Sequence, residues 1–294
     1  MALYSSLPYW DQRDLAELLT LESDGQNRFR SHVCDVNVHG GVYCGQLLAQ
    51  SLWAAAQGLR SRSPSVLQMT TLHAARAADA IEYSVETLRD SQRFSHRHVY
   101  GVQGTGLIFS ASVAFQQTEA EPELFSRLDL PVPDPESLPT LDQLARLEPQ
   151  RCASFQLRFN RRPVLDVRPI HVKAGEGEDP EPREVGYWIR LSEPLPQEGC
   201  LHQAALAYMS SCWLNPSFGH SLAGVDLWQL SSITSLNHSL WFHSAHINAN
   251  DWLLFIHDST RSRGTRDLAT TRIYQRSGQL VASMAQDMLM SSRA

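Results

Sequence analysis

The sequence predicts an α+β fold of two similar halves, each an antiparallel sheet wrapped around one long buried helix. Three observations lead to this prediction. The length of 294 residues is comfortable for two domains of ordinary size. The order of strand, apolar helix and successive strands occurs twice along the chain. A proline-rich stretch separates the two occurrences.

The first half, residues 1–117, contains one helix between strands. A short strand is predicted at 28–34, and a glycine-rich turn leads from it into a helix at about 43–59. This helix has apolar residues at helical spacing on almost every side, so we expect it to be buried. Four strand patterns follow, with glycines marking the last turn. They lie at 66–72, 81–88, 94–102 and 107–116.

The connection between the halves is predicted at residues 118–163. It holds many of the chain's prolines and several acidic residues, which is typical of a segment running over the surface. A short helix is expected within it at 141–147.

The second half, residues 164–294, repeats the order of the first. An apolar helix is predicted at 201–213, and Ser277-Gly278 marks the turn before the last strand. A central helix wrapped by an antiparallel sheet is the hotdog architecture, so the chain is predicted to be a tandem, or double, hotdog. The strands of this half are predicted at 165–172, 185–191, 233–242, 252–259, 269–275 and 280–289.

Charge and composition narrow the classes of function. The net charge of −6 argues against a general nucleic-acid-binding protein, which usually carries a basic excess. The twelve histidines are scattered, with no helical zinc-binding pair and no His-Glu-x-x-His motif. We therefore expect neither a metal ion nor a cofactor.

The cysteines and the hydropathy of the chain indicate the cellular compartment in which the protein is expected. The five cysteines include no Cys-x-x-Cys pair, which is typical of thiols in a reducing compartment. The N-terminus lacks a signal-peptide pattern, and no apolar run reaches the length of a membrane span. We therefore expect a cytoplasmic protein without a membrane span.

The most informative segment is Leu-Asn-His-Ser-Leu-Trp-Phe-His at residues 236–243. It resembles the signature strand of the type II, or TesB-type, acyl-CoA thioesterases, which reads Asp-His-Ser-Met-Trp-Phe-His. Residues 42–46, Val-Tyr-Cys-Gly-Gln, resemble the Phe-Gly-Gly-Gln opening of that family's first buried helix. Further matches occur in the same order from about residue 15 to residue 290, so the resemblance covers most of the chain.

The resemblance implies hydrolysis of fatty acyl-CoA to free acid and CoA by direct attack of a positioned water. In this family an Asp on the second buried helix, a Thr or Ser and a Gln hold that water, and the Asp takes its proton. Ser235 and Gln286 stand at the Ser and Gln positions, whereas Ser211 stands at the Asp position. A serine cannot act as a general base near neutral pH, and losing a positioned base costs about 10²–10⁴-fold in rate. The activity is therefore expected to be weakened, unless another carboxylate such as Asp226 replaces the base.

The resemblance also implies a substrate-binding set. At the start of the first buried helix, glycine permits close approach of a ligand to backbone N–H groups. His238 is open to two interpretations: it faces the cleft, or it is a core histidine whose ring nitrogens are satisfied. We expect acyl-CoA as the partner and a homo-oligomer, a dimer or tetramer, as the assembly. The substrate-binding candidates are Tyr43, Gly45, Gln46, His238 and Arg266.

Two alternative functions remain open. The first is a non-hydrolytic protein of the same fold that binds acyl-CoA or acyl-carrier protein, in which the binding tunnel persists without the base. The second is a hotdog hydratase or dehydratase, which requires a His/Asp pair that the spacing of the sequence does not provide. Residue 211 is what distinguishes the hydrolase from the binding protein.

Overall fold

The computed structural model describes residues 7–37, 40–118, 127–128, 131–147, 162–171, 184–212, 230–263 and 266–292. Its strands form one antiparallel sheet with the order β1-β2-β4-β5-β6-β3-β9-β12-β11-β10-β8-β7. The strands are β1 (Glu22–Gly25), β2 (Arg28–Arg30), β3 (Arg62–Thr71), β4 (Glu82–Asp90), β5 (Phe94–Gln103), β6 (Gly106–Gln117), β7 (Leu165–His171), β8 (Glu184–Leu191), β9 (Leu230–Phe242), β10 (Leu253–Arg263), β11 (Arg266–Gln275) and β12 (Leu280–Ser292).

The two halves share this sheet because β3 of the first half pairs with β9 of the second. Leu67 lies opposite Leu240, and Met69 lies opposite His238. The sequence predicted two sheets, one for each half, and the β3–β9 pairing joins them into one. The strand that carries the signature segment is therefore central in the sheet, with a hydrogen-bonded neighbour on each side.

Four α-helices accompany the sheet in the described residues. They are α1 (Leu15–Leu19), α2 (Cys44–Ala56), α3 (Leu141–Leu147) and α4 (Leu201–Ser210). Helices α2 and α4 are the two predicted buried helices, and α3 is the helix predicted in the connection. None of the described helices is long and apolar enough to cross a membrane.

The buried helices form where the sequence predicts them but are shorter. The first ends at Ala56 rather than at residue 59, because Gln57 is extended and Gly58 follows with a φ of 78°. The second ends at Ser210 rather than at residue 213, and Ser211 is its C-cap. Apolar periodicity indicates which face of a helix is buried, but it does not fix the residue where the helix ends.

Helices α2 and α4 approach each other closely at Gly45. A Cβ atom at this position would lie 2.5 Å from the backbone oxygen of Tyr208 and would also overlap the Tyr43 ring. Both contacts would be closer than real Cβ atoms make, so only glycine fits here. The first turn of α2 thereby lies against the last turn of α4.

The described part of the connection between the halves packs on the outer face of the second half of the sheet. Leu128, Val132 and Leu138 pack on a cluster that includes Trp188 and Trp252. The indole of Trp188 donates to the Pro133 oxygen (3.1 Å), and that of Trp252 donates to the Glu136 carboxylate (2.9 Å). The division of the chain at residues 117 and 163 stays a prediction.

Candidate active site

A bulge in β9 brings two of its polar residues to the same face of the sheet. Opposite β12, His238 pairs with Gln286 and Asn237 with Asp287, but Ser235 pairs with Met288, so Leu236 is the extra residue. Strict alternation would place Ser235 and His238, three residues apart, on opposite faces. The bulge instead turns both toward the helices, together with Gln286.

Ser235 and Gln286 are hydrogen-bonded to each other. The Gln286 amide donates from Nε2 to the Ser235 hydroxyl oxygen at 2.5 Å. Gln286 is only 2% exposed, and its Oε1 atom has no hydrogen-bond partner among the described residues. A buried polar atom without a partner is uncommon and indicates a place for a donor from outside the described residues.

Ser211 joins this pair through Cys44. The thiol of Cys44, the first residue of α2, is hydrogen-bonded to the hydroxyls of both Ser211 and Ser235. Burial raises the pKa of the thiol, and these two hydrogen bonds partly oppose that effect. Cys44, Ser211, Ser235 and Gln286 therefore form one cluster where α2, α4 and β9 meet: the two serines contact the thiol, and Gln286 joins through Ser235.

Cys44 is a site residue that the sequence reasoning missed. A signal was present, because Cys44 replaces the first glycine in the family's Phe-Gly-Gly-Gln opening. Its packing beside Ser211 depends on the close crossing of α2 and α4, which the sequence does not reveal.

His238 is buried beside Ser210, with 1% of its surface exposed. Its Nε2 atom lies 3.0 Å from the Ser210 hydroxyl, whereas Nδ1 has no hydrogen-bond partner among the described residues. Burial lowers the pKa of the imidazole to about 4, so the ring is neutral at pH 7. His238 is therefore a buried histidine with a partner on one ring nitrogen and none on the other among the described residues.

Tyr43 and Gly45 also lie at this helix crossing. Tyr43 is the N-cap residue of α2, and its hydroxyl donates to the backbone oxygen of Tyr208 at 3.3 Å. Gly45 leaves the first turn of α2 without a side chain at the crossing. Both residues are next to Cys44, so the structure places them at the edge of the cluster.

Gln46 and Arg266 are not brought to the cluster. The Gln46 amide accepts from Asp35 N (2.8 Å) and donates to Val33 O (3.2 Å) and to the Gln50 side chain (3.1 Å), so it holds the fold together. Arg266 pairs with Asp287, which lies on the face of the sheet opposite to Gln286. Asp226, the alternative base, lies outside the described residues.

A buried ion pair supports the crossing of the helices. Arg162 pairs with Asp35, and both side chains are almost completely buried. The Asp35 carboxylate also accepts from the Tyr208 hydroxyl at 2.7 Å, and the Arg162 guanidinium lies 3.5 Å from the centre of the Tyr43 ring. Because these partners occupy the carboxylate, Asp35 acts as a structural anion.

A cavity of about 540 Å³ begins beside Cys212, the residue after Ser211. Its lining includes two arginines that are already ion-paired, Arg162 with Asp35 and Arg190 with the lining residue Asp166, and the apolar side chains of Leu165 and Val167. A volume in this range is typical of small-molecule sites, and the lining combines polar and apolar groups.

The site can position a small polar molecule. Its described groups are neutral. They are the hydroxyls of Ser211 and Ser235, the amide of Gln286, the imidazole of His238 and the thiol of Cys44 at the start of α2. The first N–H groups of a helix are free of intrahelical partners and carry partial positive charge, which favours a developing oxyanion.

Comparisons with known proteins agree with this fold. A crystal structure of the acyl-CoA thioesterase II TesB2 from Mycobacterium marinum superposes with a TM-score of 0.76 at 26% identity, covering 96% of this chain and 99% of that chain. A hotdog-fold protein of unknown function from Alicyclobacillus acidocaldarius superposes with a TM-score of 0.71 at 18% identity, covering 95% and 98%. These matches confirm the predicted tandem hotdog.

The sequence comparisons identify the family. The acyl-CoA thioesterase N-terminal domain matches residues 35–116, and the acyl-CoA thioesterase C-terminal domain matches residues 122–290. Acyl-coenzyme A thioesterase 8 of Rattus norvegicus is 28% identical, covering 95% of this chain and 89% of its own. Acyl-CoA thioesterase 2 of Haemophilus influenzae is 27% identical, covering 94% and 96%. The chain belongs to the acyl-CoA thioesterase family, as its motifs predicted.

Proposed function

We propose that this protein hydrolyses fatty acyl-CoA to the free acid and CoA by direct attack of a water on the thioester carbonyl. The observation that carries this proposal is the hydrogen bond between the buried Gln286 and Ser235, together with the Gln286 Oε1 atom, which has no partner among the described residues. Such a pair holds a water in a fixed orientation, which lowers the entropic cost of the attack. Family membership and the cavity beside Cys212 support acyl-CoA as the substrate.

The start of α2 is the proposed site of the scissile carbonyl. Its free N–H groups stabilise the oxyanion that forms when water adds to the carbonyl carbon. Gly45 and Tyr43 shape this end of the helix, so we propose that they contact the thioester.

Ser211 weakens the proposed reaction. It lies at the family's Asp position, within the cluster, but a hydroxyl does not take a proton from water at neutral pH. A positioned general base contributes about 10²–10⁴-fold, so Ser211→Asp is expected to raise kcat, by up to this factor where no other group serves as the base.

The test is a thiol-release assay with short-, medium- and long-chain acyl-CoAs. Wild type is expected to release CoA, and Gln286→Ala is expected to lower kcat because the water loses its positioning amide. Gln275→Ala is the matched control, since Gln275 is a β11 glutamine whose side-chain amide donates to the His246 oxygen outside the cluster. Tight binding of acyl-CoA without CoA release would contradict hydrolysis and would identify a non-hydrolytic binding protein.

We also propose a homo-oligomer, a dimer or tetramer, in the cytoplasm. Cys34, Cys44, Cys200 and Cys212 are free thiols, which suits a reducing compartment. Trp241, Leu268 and Leu289 are large apolar side chains exposed on the outer face of β9, β11 and β12, and a second copy of the chain would cover them. Light scattering coupled to size-exclusion chromatography measures the assembly directly, and a monomer would contradict it.

A further inference from the structure

We propose that His238 is the general base of this hydrolysis, taking a proton from the attacking water through its Nδ1 atom. This inference rests on the hydrolytic function proposed above. It assigns to His238 the role that Ser211 cannot perform, and it makes Ser210 the residue that orients the imidazole ring.

The hydrogen bonds of Ser210 determine which ring nitrogen carries the proton. A serine hydroxyl has one proton, and Ser210 donates it to the backbone oxygen of Ala207 at 2.8 Å. The contact of 3.0 Å between this hydroxyl and His238 Nε2 therefore requires the proton on Nε2. Because the ring is neutral, Nδ1 carries a lone pair and is a hydrogen-bond acceptor.

Two neighbouring residues consequently each carry an acceptor without a donor among the described residues. His238 and Gln286 are directly opposite each other on β9 and β12, which places their Cβ atoms about 4.5–5.5 Å apart. Both residues are at least 98% buried, and neither His238 Nδ1 nor Gln286 Oε1 has a donor among the described residues. A water satisfies both acceptors at once, donating one O–H to each.

This arrangement supplies a complete proton pathway. The water oxygen forms a bond to the thioester carbonyl carbon while Nδ1 takes one of the water protons, which gives a tetrahedral oxyanion and an imidazolium. The oxyanion then collapses, the C–S bond breaks, and the imidazolium returns the proton to the departing CoA sulfur. The products are the free acid and CoA thiol, so atoms and charge balance without a co-reactant.

The neutral state of His238 fits this role. Burial holds its pKa at about 4, so the ring stays in the base form at neutral pH. The side chains facing His238 from the elements around it are uncharged: Met69 on β3, Ser210 on α4 and Gln286 on β12, with Cys44 on α2 at the same cluster.

The described carboxylates near the site are already bound to partners within the protein. Asp35 is paired with Arg162 and Tyr208, and Asp287 is paired with Arg266 on the other face of the sheet. Among the residues that the structure describes around Gln286, His238 is therefore the group able to accept a proton.

The experiment is a double-mutant cycle on kcat with one medium-chain acyl-CoA. His238→Gln keeps a side-chain N–H for Ser210 but removes the base, so kcat is expected to fall by about 10²–10⁴-fold. In the Ser211→Asp background a carboxylate supplies the base, and the same His238→Gln change is expected to lower kcat by less than about tenfold. A purely structural role for His238 would give the same loss in both backgrounds and would overturn the proposal.

His257→Gln is the matched control. His257 on β10 is equally buried. Its Nδ1 atom is hydrogen-bonded to the Thr271 hydroxyl at 2.6 Å, and its Nε2 atom has no partner among the described residues. Its substitution is expected to lower the melting temperature but to leave kcat unchanged. Circular dichroism and thermal melting of every variant separate loss of folding from loss of the base.

The outcomes distinguish this proposal from the proposed function. If wild type hydrolyses acyl-CoA and the His238→Gln variant is fully active, His238 is not the general base, although the proposed hydrolysis still stands. A wild type that releases no CoA at any chain length would overturn both. Nitrogen NMR of histidine-labelled protein gives an independent readout, with the proton expected on Nε2 of His238; a proton on Nδ1 at pH 7 would refute the assignment.

Discussion

Replacing Gly45 with alanine tests how strongly the site depends on the crossing of α2 and α4. The added Cβ would lie 2.5 Å from the Tyr208 backbone oxygen and would overlap the Tyr43 ring. An ordinary carbon–oxygen contact is about 3.5 Å, so the helices must separate by up to about 1 Å or the Tyr43 ring must move. Either movement displaces Cys44 and Ser211, because they occupy the adjoining ends of α2 and α4.

The expected loss of stability is moderate. Overpacking a core costs about 1–3 kcal/mol, and alanine regains about 0.5–1 kcal/mol over glycine inside a helix. The free energy of unfolding should therefore fall by about 1–2 kcal/mol, which lowers the melting temperature by several degrees. A displacement of about 1 Å at the site costs on the order of 10²-fold in rate, so kcat should fall far more than the fraction of folded protein.

Thermal melting and the thiol-release assay measure the two effects on the same preparation. Gly106→Ala is the control, because a Cβ there would meet only the Gln103 oxygen at 3.6 Å, an ordinary contact. If Gly45→Ala matched wild type in both melting temperature and kcat, the close crossing would not control the site.

Three further predictions follow from buried groups. Burial raises the pKa of the Cys44 thiol, so iodoacetamide should label Cys44 at pH 7 more slowly than it labels glutathione, as peptide mass spectrometry would show; equal rates would contradict this. Burial lowers the pKa of His238 to about 4 and that of His257 to about 3, so the unfolded chain takes up more protons as the pH falls from about 6.5 toward 4. Stability in urea should fall over that range, and His238→Gln should flatten the dependence; an unchanged slope would argue against a neutral buried ring. Asp35→Asn leaves the Arg162 guanidinium buried without its anion and should cost about 3–5 kcal/mol, whereas Asp79→Asn, at the exposed pair with Arg76, should cost less than about 1 kcal/mol; equal losses in chemical denaturation would contradict this.

The sequence predicts the elements of the fold better than their junctions. Strand patterns and the two apolar helices indicate each half, because period-two and helical spacing are local signals. The pairing of β3 with β9 is not local, since the sequence of a strand does not say which partner it takes. The hairpin strand β1 and the short helix α1 were not predicted, because both are too short to show a clear period.

The candidate site, like the fold, has features that the sequence predicts and features that it does not. The family motif predicts that Ser235 and Gln286 lie together, and their hydrogen bond agrees with it. Strict alternation along a strand would place Ser235 and Asn237 on one face, but the bulge at Leu236 separates them and puts Ser235 on the same face as His238. A bulge adds one residue without a sequence signal of its own here, so the face of His238 could not be predicted.

The β3–β9 junction also has a consequence for how the protein behaves on dilution. In a hotdog assembled from separate chains, the corresponding sheet edges would meet by bimolecular association and would separate at low concentration. Here one chain carries both edges, so their pairing is intramolecular and occurs at an effective concentration on the order of millimolar. Each single chain therefore retains the strand that bears Ser235 and His238 between its two neighbours, and the proposed site should stay assembled at any protein concentration.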